Sequence, residues 1–528
     1  MISRRASHVY FHPVTFVLTL FGLAALVLSP AREARAFCGF YVGGTDAKLY
    51  NNATQVVLMR DGQRTVLSMQ NNYQGPPTGF AMVVPVPVVL QKENVKTLPR
   101  EVFDKIDQLD SPRLVEYWEQ NPCPPPARET DDMEMAPRAM AAPPAAPAEA
   151  AKADLGVRIE ARFSVGEYDV LILSAEDAGG LEAWLRREKY AIPAGAAPYL
   201  RPYIESGSKF FVAKVDPQKV RFENGMATLS PLRFHYDTTE LRLPVRLGLI
   251  NAKDVQDIIV HVLARGQRYD VANYPNVTIP TNIDVTEDTK RGFPAFYAAL
   301  FDATVAKNPG AVVTEYAWDA TTCDPCPGPA LDASDFATLG DDVMPQQGDY
   351  HSVSNGGYTL TRLHARYTRD SLGADLVLRA AGPIVGGREF MQEKGRLERG
   401  ARPDSTNNVQ GRYAIRHPWA GPIECDDPKR GVWGGPPNDL PIAAPDNGPR
   451  AARDLAFAPR GGVRLEAAVR SEVPELGIAG PGAATLAANA PRRGGGCAGC
   501  STTDGPAGGA LVLVAAAGLL AGARRRRG

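Results

Sequence analysis

Residues 54–69 read Thr54-Gln55-Val56-Val57-Leu58-Met59-Arg60-Asp61-Gly62-Gln63-Arg64-Thr65-Val66-Leu67-Ser68-Met69. Two runs of β-favouring residues, 54–59 and 64–69, flank Asp61-Gly62. Asp-Gly between such runs is a strong hairpin signal, because glycine accepts the positive φ that a tight turn needs. The folded part of the chain therefore opens with antiparallel strands. Working outward, residues 79–90 form a third apolar run containing Pro85 and Pro87. Two prolines two residues apart remove N–H groups from one edge. That predicts an edge strand or a polyproline-like segment, not a central strand. Residues 99–119 read as helical. Val102, Ile106 and Leu109 keep helical spacing, and Leu114, Tyr117 and Trp118 resume it after Ser111-Pro112.

Further on, the runs 157–163, 167–173, 210–215, 226–229, 232–236, 243–249 and 258–264 read as strands. So do 312–318 and the clean alternation of 358–368, with 376–379 as its pairing partner. Residues 177–190 and 293–306 read as helices. The expected fold class is α+β, mostly short antiparallel strands with a few helices, without βαβ regularity. It is flanked by a signal peptide, disordered linkers and one C-terminal transmembrane helix.

Composition sets the division into parts. The 528 residues carry 58 basic and 59 acidic side chains, which excludes a nucleic-acid-binding surface spread over the whole protein. Fifty glycines and 45 prolines exceed the ordinary combined share of about 12%. The excess falls in residues 124–154, a disordered Pro/Ala linker with too few large apolar residues to offset ordering entropy, and in 436–496, whose Ala-, Gly-, Pro- and Arg-favouring composition reads as a flexible stalk. The folded parts are then 37–123, the N-terminal part of the body, and 155–435, the main α+β domain.

The ends give an address. Residues 1–36 read as a secretory signal: Arg4 and Arg5, an apolar run over 14–28, then Ala34-Arg35-Ala36, with cleavage between Ala36 and Phe37. Residues 497–528 combine Cys497 and Cys500, an uncharged run over 508–523 and the cluster Arg524, Arg525, Arg526 and Arg527. Sixteen helical residues would reach about 24 Å, slightly short of a hydrocarbon core of about 30 Å. The arginines favour the cytoplasmic side, leaving the body outside the cytoplasm. This tail resembles the MYXO-CTERM sorting tail, in which a Cys motif precedes a weak transmembrane helix and an Arg cluster. The resemblance implies a tail-processing protease and anchoring at the cell surface; a plain single-pass anchor is the alternative.

The body resembles the bacterial domain-of-unknown-function family numbered 2330. The stretches that carry the likeness are Phe37-Cys38-Gly39-Phe40-Tyr41-Val42, Ala47-Lys48-Leu49-Tyr50-Asn51 and Leu243-Pro244-Val245-Arg246-Leu247-Gly248. Ala272-Asn273-Tyr274-Pro275, Cys323-Asp324-Pro325-Cys326-Pro327 and Arg412-Tyr413-Ala414-Ile415-Arg416-His417-Pro418-Trp419 complete it. The resemblance implies an extracytoplasmic envelope protein and supplies no catalytic residues.

Export favours disulfides. The candidates in the body are Cys38, Cys123, Cys323, Cys326 and Cys425. Cys38 and Cys123 bracket the first compact region, so a bridge between them is expected. Cys323-Asp324-Pro325-Cys326 has the spacing of a thiol–disulfide exchange site. Pro327-Gly328-Pro329 follows, however, and prevents the helix start that stabilises a thiolate; a structural bridge, within the motif or to Cys425, is the plainer reading. Outside the signal, His235, His261, His351, His364 and His417 form no metal motif. No nucleophile elbow, P-loop or dinucleotide fingerprint occurs, and no catalytic, metal or cofactor-binding residue is assigned. The sequence thus predicts an exported, envelope-anchored structural or binding protein. Its expected partners are the membrane and an envelope component, not nucleic acid. The alternative is an extracytoplasmic thiol–disulfide oxidoreductase using Cys323 and Cys326.

Overall fold

The computed structural model describes residues 40–42, 50–51, 54–70, 73–74, 81–123, 153–188, 190, 192, 195–216, 218–223, 226–250, 255–345, 357–388, 391–392, 396–398, 400–436, 450–451 and 461–480. All lie in the compact unit formed by residues 1–483. The signal, the cleavage residues Ala36 and Phe37, residues 124–152 and the tail 497–528 lie outside the described residues.

In chain order the principal elements are β1 Phe40–Val42, β2 Thr54–Asp61, β3 Arg64–Gln70, β4 Ala81–Val86, β5 Val95–Thr97, α1 Glu101–Asp110 and β6 Arg113–Glu119. Then come β7 Val157–Val165, β8 Tyr168–Ala175, α2 Ala178–Arg187, α3 Ala197–Glu205, β9 Lys209–Val215, β10 Leu232–Asp237 and β11 Gln256–Arg265. Last are α4 Phe293–Lys307, β12 Val312–Asp319, α5 Ala333–Leu339, β13 Tyr358–Tyr367, β14 Asn408–Gln410, β15 Arg412–His417 and α6 Leu465–Ala468. The fold class is α+β.

The hairpin is present: β2 and β3 pair from Gln55↔Gln70 to Asp61↔Arg64, and Gly62 takes φ +53° in the turn. It lies inside the large sheet, ordered β14-β12-β13-β11-β2-β3-β10-β5, with Ile384–Gly386 and then Arg402–Pro403 continuing past β14. Strand β2 meets β11 in parallel, Val56 beside Val260. A second sheet runs β1-β4-β9-β8-β7. The facing sides of the two sheets form the main core, with Val56, Leu58, Leu67, Ile258, Val260 and Leu363 against Val84, Ile172, Phe211 and Ala213. Helices α2 and α3 cover the outer face of the second sheet through Leu181, Trp184, Leu185 and Leu200. Helices α1, α4 and α5 cover the outer face of the large sheet. The result is four layers, helix–sheet–sheet–helix, each amphipathic element burying its apolar side.

Several expectations are corrected. Strand β4 is interior, not an edge, since β1 and β9 flank it. Its Pro85 stands opposite Phe210 of β9 and lies past Ala81–Val83, the stretch that β1 pairs with among the described residues. The helix expected over 99–119 stops at Asp110, and Ser111, at ψ 146°, already takes the extended conformation that a following proline imposes. Leu114, Tyr117 and Trp118 belong to β6, which pairs in parallel with β15. The strand expected over 243–249 divides into Leu241–Leu243 and a 3-10 turn, Arg246–Ile250. Leu376–Ala381 pairs with Leu241–Leu243 and Arg268–Val271 instead of β13.

The stretch expected to be a stalk contains a packed piece. Residues 461–480 set Leu465, Val469, Val473 and Ile478 into a cluster with Phe293, Phe296, Leu300 and Tyr413. Four apolar residues at spacings of four, four and five are enough to bury one side of a short segment, even in Gly- and Ala-rich surroundings. Among the described residues no helix is long and apolar enough to cross a membrane.

Candidate functional site

The outer face of the large sheet carries a charge network beneath α1 and α4. Its origin is the alternation of β13. Arg362, His364 and Arg366 sit two residues apart and share one face, while Leu363, Ala365 and Tyr367 enter the main core. Across the ladder, Arg362 stands opposite His261 and Arg366 opposite Asp257 of β11. On β12 the register shifts between Thr314 and Tyr316, and this bulge admits Glu315 to the network. Helix α1 adds Asp107 and Asp110 on its buried side, beside Phe103 and Ile106.

Arg362 is fully buried and is the hub. Its Nη1 lies 2.6 Å from Asp107 Oδ1 and 2.7 Å from Asp110 Oδ1, and its Nε lies 2.6 Å from Glu315 Oε2. His261 Nδ1 meets Asp110 Oδ2 at 2.6 Å. His364 bridges Glu315 Oε1 at 2.8 Å and Asp257 Oδ1 at 3.0 Å, with its ring stacked on Phe301 of α4. Tyr297 donates its hydroxyl to Glu315 Oε1 at 2.6 Å. Arg366 closes the far end on Asp257 and Asp302.

Burial opposes the charge on Arg362, but Asp107, Asp110 and Glu315 overcome it and hold its pKa well above the ordinary value. Burial alone would raise Glu315; His364 and Arg362 outweigh it and lower its pKa to about 2. Burial likewise opposes protonation of His364, and Glu315 with Asp257 reverses the sign, so its pKa is raised. These are opposite charges that stabilise one another inside the protein.

Asp107, Asp110 and His261 bring ligand-type atoms within 4.8 Å of one another. The Arg362 guanidinium already occupies the position between the two aspartates, so a cation there would meet a fixed like charge. A second such group, Glu116, Glu287 and His417, is partly open; Lys290 Nζ sits 2.6 Å from Glu116 Oε1.

Next to this network lies the Cys-Asp-Pro-Cys loop. Cys323 and Cys326 are bonded to each other, their Cα atoms 4.9 Å apart, with Cys326 exposed and Cys323 partly covered. Cys123 is bonded to Cys425, not to Cys38. The physical reason is the parallel pairing of β6 with β15, which returns residues 419–434 to the end of β6. There Lys429 N donates to Pro122 O, and Arg430 pairs with Glu119 at 2.7 Å. Hydrogen bonding to Arg430 lowers the Glu119 pKa to about 2 against a smaller opposing effect of burial. Cys38, Cys497, Cys500 and Arg524–Arg527 lie outside the described residues.

Sequence reading grouped none of the network residues. One signal was present: three basic residues on one face of the 358–368 alternation, opposite an apolar face. A basic stripe normally reads as a solvated face; here two helices cover it.

No curated protein and no solved structure matches the chain. Residues 32–379 match the family model described as an uncharacterized protein conserved in bacteria (DUF2330), a span that holds every network residue and the Cys323–Cys326 loop but ends before Arg412 and Cys425. With the match covering well over half its length, the chain belongs to the DUF2330 family.

Proposed function

We propose that this protein is an exported bacterial envelope protein whose body acts outside the cytoplasm as a structural or binding unit, held by its C-terminal tail. The observation that carries the reading is the Cys123–Cys425 bridge, which joins residues 302 apart in sequence. Bridges of this kind persist in oxidising compartments. The signal-like residues 1–36 and the tail 497–528 agree with that placement. The network supports a structural role for the buried acids, because Arg362 engages Asp107, Asp110 and Glu315 together. On this reading the partners are the membrane, a tail-processing protease and an envelope component.

Thiol trapping in intact cells, followed by fractionation, tests it. Cys123 and Cys425 should be protected from alkylation and the protein should sediment with membranes. Deleting residues 508–528 should release it, and Cys497→Ala with Cys500→Ala should block tail processing. Free Cys123 and Cys425 thiols in a cytosolic protein would overturn the reading.

One observation favours the exchange reading of Cys323 and Cys326: a reductant can reach Cys326. Against it, the next helix, α5, begins only at Ala333, seven residues after Cys326, so the motif does not open a helix. A reduction potential between about −270 and −120 mV would support exchange, and one below about −300 mV a structural bridge.

A further inference from the structure

Arg113 and Arg412 are register partners on the parallel strands β6 and β15, and both side chains are fully buried. Two guanidinium charges side by side in a protein interior are unfavourable unless anions or strong acceptors face them. Arg412 Nη1 donates to the Tyr117 hydroxyl at 3.0 Å, and one loop supplies further acceptors to both. Arg113 Nη1 donates to Pro325 O at 2.8 Å, and Arg412 Nη2 donates to Asp324 O at 2.5 Å. Gln410 Nε2 donates to Asp324 O at 2.8 Å, and Gln108 Nε2 donates to Pro327 O. Four side-chain donors from α1, β6, β14 and β15 therefore converge on the main chain of residues 324–327.

The acceptors are carbonyl dipoles, weaker partners for a guanidinium than an anion. Arg113 shows the deficit. Its Nη2 donates to Leu109 O at 2.5 Å, its Nε is buried without a hydrogen-bond partner, and burial with the neighbouring Arg412 charge lowers its pKa to about 10. Tyr316 gives partial relief, its ring 5.9 Å below the Arg113 guanidinium. The Asp324 carboxylate stands 3.9 Å from Arg412 Nη2 and lies mostly in solvent. The loop that supplies these carbonyls is held closed by the Cys323–Cys326 bond.

We propose that the Cys323–Cys326 bridge is a redox latch over an oxyanion site built by Arg113 and Arg412. A dithiol reductant attacks the exposed Cys326 sulfur, the S–S bond breaks, and Cys323 leaves as a thiolate that takes up a proton. The second thiol of the reductant then closes on the first, releasing Cys326 as a thiol and carrying the reductant away as its own disulfide. Two electrons and two protons pass to the protein. The freed loop withdraws the carbonyls of residues 324 and 325, and a phosphate-type oxyanion takes their place on the paired guanidinium groups and the Gln410 amide. Exchange with a disulfide oxidant re-forms the Cys323–Cys326 bond, passes the two electrons and two protons to that oxidant, which leaves as a dithiol, and returns the carbonyls, expelling the anion.

The test uses the full chain and inorganic phosphate, with chloride at matched ionic strength as the control. In the oxidised parent, phosphate should leave the melting temperature where chloride leaves it. In Cys323→Ser/Cys326→Ser, with Cys123–Cys425 intact, phosphate should raise it saturably by about 2–4 °C. Adding Arg113→Gln should abolish that rise. A double-serine protein that responds to phosphate no more than the parent overturns the proposal. If that variant does not fold, the parent is treated with dithiothreitol until peptide mapping shows Cys323–Cys326 open and Cys123–Cys425 closed. Absence of the phosphate-specific rise in that material overturns it equally.

Discussion

Arg362 and His261 stand opposite each other on β13 and β11, and both are tied to the same carboxylate, Asp110, at 2.7 Å and 2.6 Å. One residue of α1 thus fixes the helix onto the two central strands of the sheet. The contact is wholly buried, so its strength depends on every charge having its partner.

Arg362→Met should therefore lower the unfolding free energy by about 3–5 kcal/mol, since it leaves Asp107, Asp110 and Glu315 facing one another without their cation. Arg362→Lys should recover little of this, because one ammonium cannot reach three carboxylates from a planar fork. Urea denaturation of the three proteins checks it. A loss under about 1 kcal/mol for the methionine variant would show that water enters the network.

Stability should vary with pH in a direction set by Glu315 and His364. Glu315 has a folded pKa of about 2 against an ordinary 4.5, so its contribution is present above pH 4.5 and disappears as the pH falls toward 2. His364 is raised above 6.5, so its contribution is complete below pH 6.5 and disappears as the pH rises through the folded value. Melting temperature should peak between pH 4.5 and 6.5 as far as these groups decide it. His364→Gln should flatten the alkaline side of the profile. An unchanged alkaline limb in that variant would remove His364 as its cause.

Replacing Cys123 and Cys425 together by serine should cost about 2–5 kcal/mol, because the bridge restricts a very long loop of the unfolded chain. Non-reducing peptide mapping should find Cys123 linked to Cys425. A Cys38–Cys123 peptide would contradict the structure.

Truncation should separate the packed segment from the rest of the C-terminal region. A chain ending at residue 480 should melt within about 1 °C of the parent. One ending at residue 460 loses Leu465, Val469, Val473 and Ile478, each worth up to about 1.5–3 kcal/mol when fully buried, and should melt far lower. Equal melting temperatures for the two chains would show that residues 461–480 contribute no packing.

Local patterns made much of the secondary structure legible. Asp61-Gly62 marked the hairpin, the apolar face of 177–190 marked α2, where the structure adds an Asp177 cap that accepts from Gly180 N, and the 358–368 alternation marked β13. These signals act over a few residues, and burial reinforced them. They failed where a neighbour distant in sequence decided the outcome. Leu114, Tyr117 and Trp118 also fit helical spacing, and only the arrival of β15 as a parallel partner made them a strand. Pro85 signalled an edge, yet β1 and β9 flank its strand on both sides.

By itself, the sequence determined the α+β class, the hairpin and the family likeness, but not whether Cys323 joins Cys326 or Cys425, because turn chemistry, side-chain period and short motifs are properties of contiguous residues while a bridge needs two segments to meet. Only the tertiary structure decided that Cys123 meets Cys425, that residues 461–480 belong to the core, and that Asp107, Asp110, Glu315 and Arg362 share one buried site. Those four come from three elements separated by up to 255 residues, and a charge reads as solvated until the chain returns to cover it. The physical reason is the same in each case: burial and pairing are set by which segments meet, and no local pattern records the meeting.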